Sequence, residues 1–524
     1  MVIGTFWKRL SSKRLGILIQ ALSLIAIFFE GYDQGVMGGV NASPNYWSVV
    51  NIGNGVTADG VTQTTKQGGI VSIYYLGAVV GAFIGGWIAD RVGRINGLFI
   101  AAVFALIGGA LQSAVRSATF ILVARVVTGL GTGALTSITP VYIAEVSSAG
   151  HRGGFLGYVF IANYLGISIA YWLNFGLSFI DNGNSQIRWR FLLAFQCIPA
   201  IMLLSSIKLL PDSPRYLASV GRYVEAKEVL VQLRGNDGPK VEREFMEICA
   251  VASRANMVSP IEFAKVIFGR ATSIPHLGRR AWLCILLQIM ASWTGITAVT
   301  AYSPVLLTQA GYGSIKQGGL AGGLNTIGIV GTIISAQIVD RFGRRSSLIW
   351  GAFGLFIVNL IAASLYEGAR HNPSITSQVA PSSVTMLFLF NLTYAATWGT
   401  VAFLIPTEIF PSEMRAQGNS FGIMGWAIGV GWTVLVNPIM FQHLQSRTYF
   451  LFAGLNLTWM PIVYLFYPET SDRSLESINV MFSTKSPFYP AMEKAYLSAG
   501  NGDVLGGGLK GDSILQEVFS NDGL

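Results

Sequence analysis

The chain has 524 residues, of which 12% are charged and 52% are hydrophobic, and its formal net charge is +9. Ordinary soluble proteins carry about 25% charged residues, so this chain has too few charges to cover a soluble surface of its size. Its 61 glycines also exceed the usual share, as is typical where membrane helices pack closely. The composition excludes an ordinary soluble protein and predicts an integral membrane protein.

Twelve apolar runs follow one another along the chain, and each has roughly the 20 residues needed to cross about 30 Å of hydrocarbon at 1.5 Å per residue. The predicted runs are 16–40, 68–90, 96–115, 118–141, 153–176, 190–210, 280–310, 317–339, 347–366, 383–406, 418–441 and 448–467. The first run follows Lys13 and Arg14 and is too long for the core of a cleaved signal peptide. We therefore expect it to remain as a helix.

The positions of Lys and Arg predict the orientation of these helices. If both ends of the chain lie inside, most of the 35 Lys and Arg residues fall on the inner side. The outer side then holds only Lys66, Arg116, Arg188, Arg190, Lys316, Arg370 and Arg447. The positive-inside rule thus predicts cytoplasmic termini. Basic loops that face anionic lipid also account for the pI of about 9.4, so no nucleic-acid partner is expected.

Enzyme and cofactor chemistry find no support in the sequence. Cys197, Cys249 and Cys284 fall in two predicted spans and a cytoplasmic loop, so a disulfide framework is not expected. No metal-ligand spacing and no nucleotide-binding glycine loop occurs, and the four histidines are scattered. We predict a protein that is not an enzyme and has neither a metal nor another cofactor.

Three short landmarks occur twice, in the same order. The pairs are Asp90–Arg94 with Asp340–Arg344, Glu145 and Arg152 with Glu408 and Arg415, and Pro211–Arg215 with Pro468–Thr470. Such a repeat indicates two homologous halves of six helices each. We therefore predict an all-α membrane protein with these divisions: a cytoplasmic N-terminal segment 1–15, an N-terminal bundle 16–210, a cytoplasmic helical loop 211–279, a C-terminal bundle 280–467 and a cytoplasmic tail 468–524.

These landmarks carry a resemblance to a known family. Together with Gly31-Tyr-Asp-Gln-Gly35 in the first run and Pro140-Val-Tyr-Ile-Ala-Glu145 in the fourth, they make residues 16–476 resemble the sugar porter family of the major facilitator superfamily, in its fungal form. The resemblance implies the major facilitator fold, with twelve transmembrane helices. It also implies alternating access, with a central site between the two halves.

Charged residues cluster at the predicted cytoplasmic ends of helices in both halves. The set is Asp90, Arg91, Arg94, Glu145, Arg152, Asp340, Arg341, Arg344, Glu408 and Arg415. Opposite charges there can link the halves when the carrier opens outward, so we predict a cytoplasmic gate. The alternative is that the basic residues serve only to fix the topology.

The first run contains a carboxylate at membrane depth, which costs at least a few kcal/mol and by default marks a functional site. Asp33 lies about seven residues before the outer end of its run, and Arg125 about six after the outer end of the fourth, so both are roughly 10 Å deep. We predict that they pair. In the sugar porters such an Asp is associated with proton coupling, which the resemblance assigns to Asp33, with Arg125 as its modulator. The alternative is a permanent structural ion pair.

Glu30 lies one helical turn below Asp33, at a position where the family usually has no acid. Two neighbouring acids can titrate as a coupled pair. Glu30 is therefore a candidate for relaying the proton inward. The competing interpretation is a hydrogen-bonded structural acid.

The residues that bind sugar in the family are largely replaced. The seventh run of the family usually reads Gln-Gln-Leu-x-Gly-Ile-Asn, whereas residues 291–297 here have no amide side chain. The family's glutamine of helix five aligns with Phe160, and its tryptophan of helix ten with Phe403. Each buried hydroxyl of a sugar needs a hydrogen-bond partner, so a typical glucose site is not expected.

Other side chains can supply a central site. The candidates are Asn163, Gln288, Ser292, Thr297, Tyr302, Asn325, Trp398 and Phe403, of which Asn325 matches a sugar ligand of the family. For the polar residues the alternative is a bridge between two helices. We predict transport of a sugar or sugar-like small polar solute (a monosaccharide, disaccharide or polyol) by proton symport, in a monomer in the lipid bilayer of the plasma membrane. A non-transporting sugar sensor and an uncoupled facilitator remain alternatives.

Overall fold

The computed structural model describes residues 3–53, 61–147, 152–254, 265, 276–309, 312–372, 376–410, 415–471, 473, 475–483 and 486–500. Within them, twelve helices are long and apolar enough to cross a membrane. In chain order, spans 1 to 12 are Ser12–Val40, Thr64–Val92, Arg94–Ser113, Ala118–Val146, Tyr158–Leu177, Gln186–Leu209, Leu277–Leu307, Ile315–Phe342, Arg344–His371, Gln378–Glu408, Gly418–His443 and Arg447–Phe466. The predicted all-α fold with twelve membrane helices is confirmed.

The two Asp-Arg-x-Gly-Arg landmarks form matching one-residue turns. Span 2 ends at Val92 and span 3 begins at Arg94, with Gly93 between them at φ 98°. Gly343 joins spans 8 and 9 in the same way at φ 83°. Only glycine adopts these angles at little cost, so the glycine of each landmark is required by its turn.

Spans of opposite halves pack against each other along two seams. On one seam, the Ser72 hydroxyl of span 2 donates to the Gly431 carbonyl of span 11 at 2.7 Å. On the other, the hydroxyls of Ser168 in span 5 and Thr326 in span 8 lie 2.6 Å apart. The halves therefore meet face to face, and the space between them lies at the centre of the molecule.

Spans 7 and 10 are interrupted near their middles. Span 7 has a wide turn at Ser292–Ile296, where Gly295 has a φ of 111°, and a second distortion at Tyr302. Span 10 is broken at Thr397, between the helices Thr376–Ala396 and Trp398–Glu408. Such breaks redirect the side chains that follow them, and here both lie in the C-terminal half.

Shorter helices lie outside the spans. Among the described residues, Pro214–Ser219, Tyr223–Arg234 and Pro239–Arg254 follow span 6. Leu475–Ser483 and Tyr489–Gly500 follow span 12 in the same part of the chain. The Arg473 guanidinium is paired with the Glu493 carboxylate at 2.8 Å, so the helix Tyr489–Gly500 is tied back to the segment that follows span 12.

Candidate substrate site and buried ion pair

A cavity lies between the halves. Spans 1, 2, 4, 5, 7, 10 and 11 contribute to its wall. Five of the eight predicted binding residues line it, namely Asn163, Gln288, Ser292, Thr297 and Phe403.

The other three predicted residues are not among those that line the cavity. The Tyr302 hydroxyl donates to the Val434 carbonyl at 2.8 Å, and the Trp398 indole donates to Leu348 at 2.9 Å. The Asn325 amide donates to Ala321 in its own helix at 2.9 Å. The sequence reasoning assumed unbroken helices, whereas Tyr302 lies beyond the break of span 7 and Trp398 directly after that of span 10.

Two pairs of aromatic rings line the cavity, and each pair takes one ring from each half. Phe160 of span 5 faces Phe403 of span 10, with 5.4 Å between ring centroids. Tyr75 of span 2 meets Trp426 of span 11 edge to face at 5.5 Å. The sequence did not single out Tyr75 or Trp426 as site residues, because an aromatic residue in an apolar run looks the same whether it packs or faces a cavity.

Glu30 lines the same cavity, together with Gln34 and Thr136. Its carboxylate accepts a hydrogen bond from the Gln34 amide at 3.2 Å. Among the lining residues given by the described part of the chain, it is the only acid, and no Lys, Arg or His accompanies it. Gln34 belongs to the Gly31–Gly35 motif of span 1 but was not predicted to face the site.

Asp33 and Arg125 form a buried ion pair, and neither is among the residues that line the cavity. Their nearest charged atoms are 3.3 Å apart, and the two side chains are 0% and 1% exposed. The guanidinium also donates to the Val71 carbonyl at 3.4 Å and lies 4.6 Å from the centroid of the Tyr74 ring. The contact expected from matching depths is present.

The charged residues of the predicted cytoplasmic gate form two clusters, and the N-terminal cluster centres on Arg94. Its guanidinium binds both oxygens of Glu145 at 3.0 Å and approaches Asp90 at 3.1 Å. Its backbone N–H donates to the Asp212 carboxylate at 2.9 Å. Burial raises the pKa of Asp212, and the N–H groups of Ser213 and Arg94 oppose that rise by stabilising the charged form.

The C-terminal cluster repeats this arrangement around Arg344. Its guanidinium binds Glu408 at 3.0 Å and lies 3.4 Å from Asp340. Its backbone N–H donates to Glu469 at 2.8 Å. Asp212 and Glu469 were not predicted as members of the clusters, although both directly follow the proline of a repeated landmark.

Each ion pair that the described residues of these two clusters form stays within one half and so does not link the halves as the predicted gate would in an outward-open carrier. Arg91 stacks on Trp87, with 4.4 Å to the ring centroid. Arg341 lies in the last turn of span 8. The side chains of Arg152 and Arg415 lie outside the described residues.

Residues 18–482 match the family described as "Sugar (and other) transporter". The chain is 30% identical to the sugar transporter STL1 of Saccharomyces cerevisiae over 484 residues, which cover 90% of this chain and 82% of that one. It is 29% identical to the MFS-type transporter criB of Aspergillus cristatus, over 87% of this chain and 91% of that one.

A solved structure has the same fold. The proton:xylose symporter XylE, bound to 6-bromo-6-deoxy-D-glucose, matches with a TM-score of 0.73 at 21% identity, over 90% of this chain and all of that one. The fold predicted from the repeated landmarks is thus the major facilitator fold. By the family match and the relative at 30% identity, the chain belongs to the sugar porter family of the major facilitator superfamily, whose members are membrane transporters and not enzymes.

Proposed function

We propose that this protein carries a sugar or sugar-like small polar solute (a monosaccharide, disaccharide or polyol) across a membrane by alternating access, driven by proton symport. The observation that carries the proposal is the buried Asp33–Arg125 pair, whose Asp33 lies on span 1, the same helix that lines the central cavity through Glu30. STL1 is named a sugar transporter and XylE a proton:xylose symporter, which supports the class of solute and the coupling ion.

Asp33 is the proposed proton-binding group, and Arg125 is its modulator. In the charged state the carboxylate holds the guanidinium, and the pair ties span 1 to span 4. A proton on Asp33 removes the attraction and leaves Arg125 with only its neutral contacts to Val71 and Tyr74. Because an ion pair in a dry interior is strong only while both partners are charged, protonation frees span 1 to move.

Glu30 connects this event to the solute. It lies three residues before Asp33 on the same helix, but its carboxylate faces the cavity. A solute hydroxyl that donates to Glu30 therefore touches the helix that also carries the proton site. Movement of span 1 then changes both sites together, which is the physical requirement for symport.

Solute recognition is proposed for the five predicted residues that line the cavity: Asn163, Gln288, Ser292, Thr297 and Phe403. The Gln288 amide donates to the Ala402 carbonyl at 2.9 Å and so joins the two broken spans, 7 and 10. A solute that contacts Ser292 and Thr297 touches span 7 on both sides of the turn at Gly295. Solute binding can therefore close this part of the site by bending span 7.

The cytoplasmic clusters are proposed as parts of a gate whose Arg and Glu side chains exchange partners between the halves when the carrier opens outward. Arg91, Arg152, Arg341 and Arg415 are proposed members of the same gate. We further propose a monomer in the plasma membrane with both termini in the cytoplasm, in accord with the positive-inside rule.

The test is uptake by vesicles that contain the purified full-length chain. An inward proton gradient should drive accumulation of the solute above its external concentration, and a proton uncoupler should abolish that accumulation. Equilibration without accumulation would indicate an uncoupled facilitator. Binding without flux across a broad panel of sugars and polyols would indicate a sensor.

A further inference from the structure

We infer that the central site takes an amphipathic sugar derivative, a neutral glycoside whose sugar ring carries an aromatic or alicyclic group, in preference to a free hexose. The inference rests on the proposed function, since it names the class of solute for the same cavity. Three properties of the cavity wall lead to it.

The first property is that two aromatic contacts join the halves. The Phe160–Phe403 and Tyr75–Trp426 pairs are tilted and edge to face, respectively, and all four rings line the cavity. Aromatic rings favour further rings in offset or edge-to-face contact. A flat apolar group that packs against either pair would therefore contact both halves at once.

The second property is that most polar groups of the wall already form hydrogen bonds within the protein. The hydroxyls of Ser292, Thr300 and Thr407 donate to carbonyls of their own helices at 2.7–3.1 Å. The Gln288 and Gln34 amides donate to Ala402 and Glu30. Polar groups that already have partners can compensate fewer of the hydroxyls that a solute brings into the cavity.

The remaining polar side chains include those of Asn163, Thr297 and Asn419. Asn163 and Asn419 both line the cavity, and the Asn419 Nδ2 atom is buried without a hydrogen-bond partner in the described part of the chain. With the Glu30 carboxylate, they can satisfy a few hydroxyls. A free hexose has a hydroxyl on nearly every carbon, and each one left buried without a partner weakens binding.

The third property is the charge of the wall. Glu30 is the only ionisable acid among the described lining residues, and none of these is Lys, Arg or His. An acidic substituent would be buried beside a carboxylate with no compensating cation, which is unfavourable. The apolar substituent is therefore neutral.

The experiment compares phenyl β-D-glucopyranoside with glucose in counterflow by reconstituted full-length protein, without a proton gradient. Recognition is thereby measured separately from coupling. We expect a half-saturation concentration about tenfold or more lower for the phenyl glucoside than for glucose. Equal values, or a lower value for glucose, would overturn the inference, as would the absence of both counterflow and a thermal shift with either solute.

The variants Phe160→Leu and Phe403→Leu test the aromatic pairs. Each should reduce the preference for the phenyl glucoside, because leucine keeps the apolar volume but removes the ring. Phe450→Leu is the matched control, since Phe450 lies on the exposed side of span 12, and it should leave the preference unchanged. An unchanged preference in both cavity variants would contradict the inference. If one variant does not fold, the other still decides.

Proton coupling and solute class can fail separately. If a proton gradient does not drive accumulation, but counterflow still prefers the phenyl glucoside, the proposed symport is wrong and the inference stands. If the gradient drives accumulation of glucose with no preference for the glycoside, the symport stands and the inference is wrong.

Discussion

The two halves share the geometry of their Arg94 and Arg344 clusters but differ within the membrane spans. In the N-terminal half, spans 1 and 4 are continuous helices of 29 residues joined by the Asp33–Arg125 ion pair. In the C-terminal half, the corresponding spans 7 and 10 are both broken, and residues 281–307 and 378–407 contain no charged side chain. This difference accords with the proposal that the N-terminal half binds the proton and the C-terminal half bends around the solute.

The largest expected effect comes from breaking the ion pair on one side only. In Arg125→Leu, Asp33 is left buried without its partner, which should lower stability by about 3–5 kcal/mol. The double variant Asp33→Asn with Arg125→Leu should recover part of this loss, because no unpaired charge remains. Thermal unfolding in detergent provides the measurement. If Arg125→Leu were as stable as the parent protein, the Asp33–Arg125 pair would not be the dry contact described here.

A smaller effect is expected at the turn of span 7. In Gly295→Ala, the alanine would have to adopt a φ of 111°, and its Cβ would lie 3.2 Å from the Phe452 ring. A left-handed conformation of this kind costs about 1–3 kcal/mol for residues other than glycine, so both stability and flux should fall. Gly176→Ala is the matched control in the N-terminal half, since a Cβ there meets nothing within 4 Å. Equal thermal stability of the two variants would argue against the left-handed turn at Gly295.

The Arg94 and Arg344 clusters allow a direct comparison of the halves. Glu145→Gln and Glu408→Gln each weaken a charged hydrogen bond to an arginine, at a cost of about 1–3 kcal/mol. The Glu145 side chain is 11% exposed and that of Glu408 24%, so the change in the N-terminal half should destabilise more. Chemical unfolding of the two variants side by side checks the order. If Glu408→Gln destabilised the protein more than Glu145→Gln, the two clusters would differ in stability despite their similar geometry.

The smallest expected effect concerns the last helix, Tyr489–Gly500. The hydrogen bond from Arg473 lowers the pKa of Glu493, so its contribution is present above the ordinary pKa of a glutamate and is lost as pH falls through the lowered value. The pair is partly exposed, and less than about 1 kcal/mol is expected from it. Hydrogen exchange, corrected for its intrinsic pH dependence, should show the helix loosening in acid. Arg473→Gln should remove this acid dependence, and its persistence in that variant would assign the effect to another group.

The features that the sequence predicts well depend on long-range regularity. Hydropathy located the twelve spans, and the rise per residue of a helix was enough to match the depths of Asp33 and Arg125. The contacts of Asp212 and Glu469 were not foreseen, because they depend on how a chain segment folds back onto a helix start.

The cavity wall was predicted only in part, for a specific physical reason. Assigning residues to a helix face assumes a regular helix, and that assumption ends at Gly295 and at Thr397. Tyr302 and Trp398 lie after a break and bond elsewhere, whereas Thr297 and Phe403 also lie after a break and line the cavity. The breaks therefore explain only part of the difference, since Asn325 lies on the unbroken span 8 and bonds within its own helix.

The most direct test of proton coupling is accumulation of a transported solute by vesicles that contain Asp33→Asn, with Asp181→Asn in the short helix Ile180–Gly183 between spans 5 and 6 as the matched control. The substitution at position 33 keeps the shape of the side chain but removes the charge that binds Arg125 and the proton. We predict that it abolishes accumulation driven by a proton gradient, while counterflow remains measurable and the control accumulates normally. Undiminished accumulation by Asp33→Asn would contradict the account.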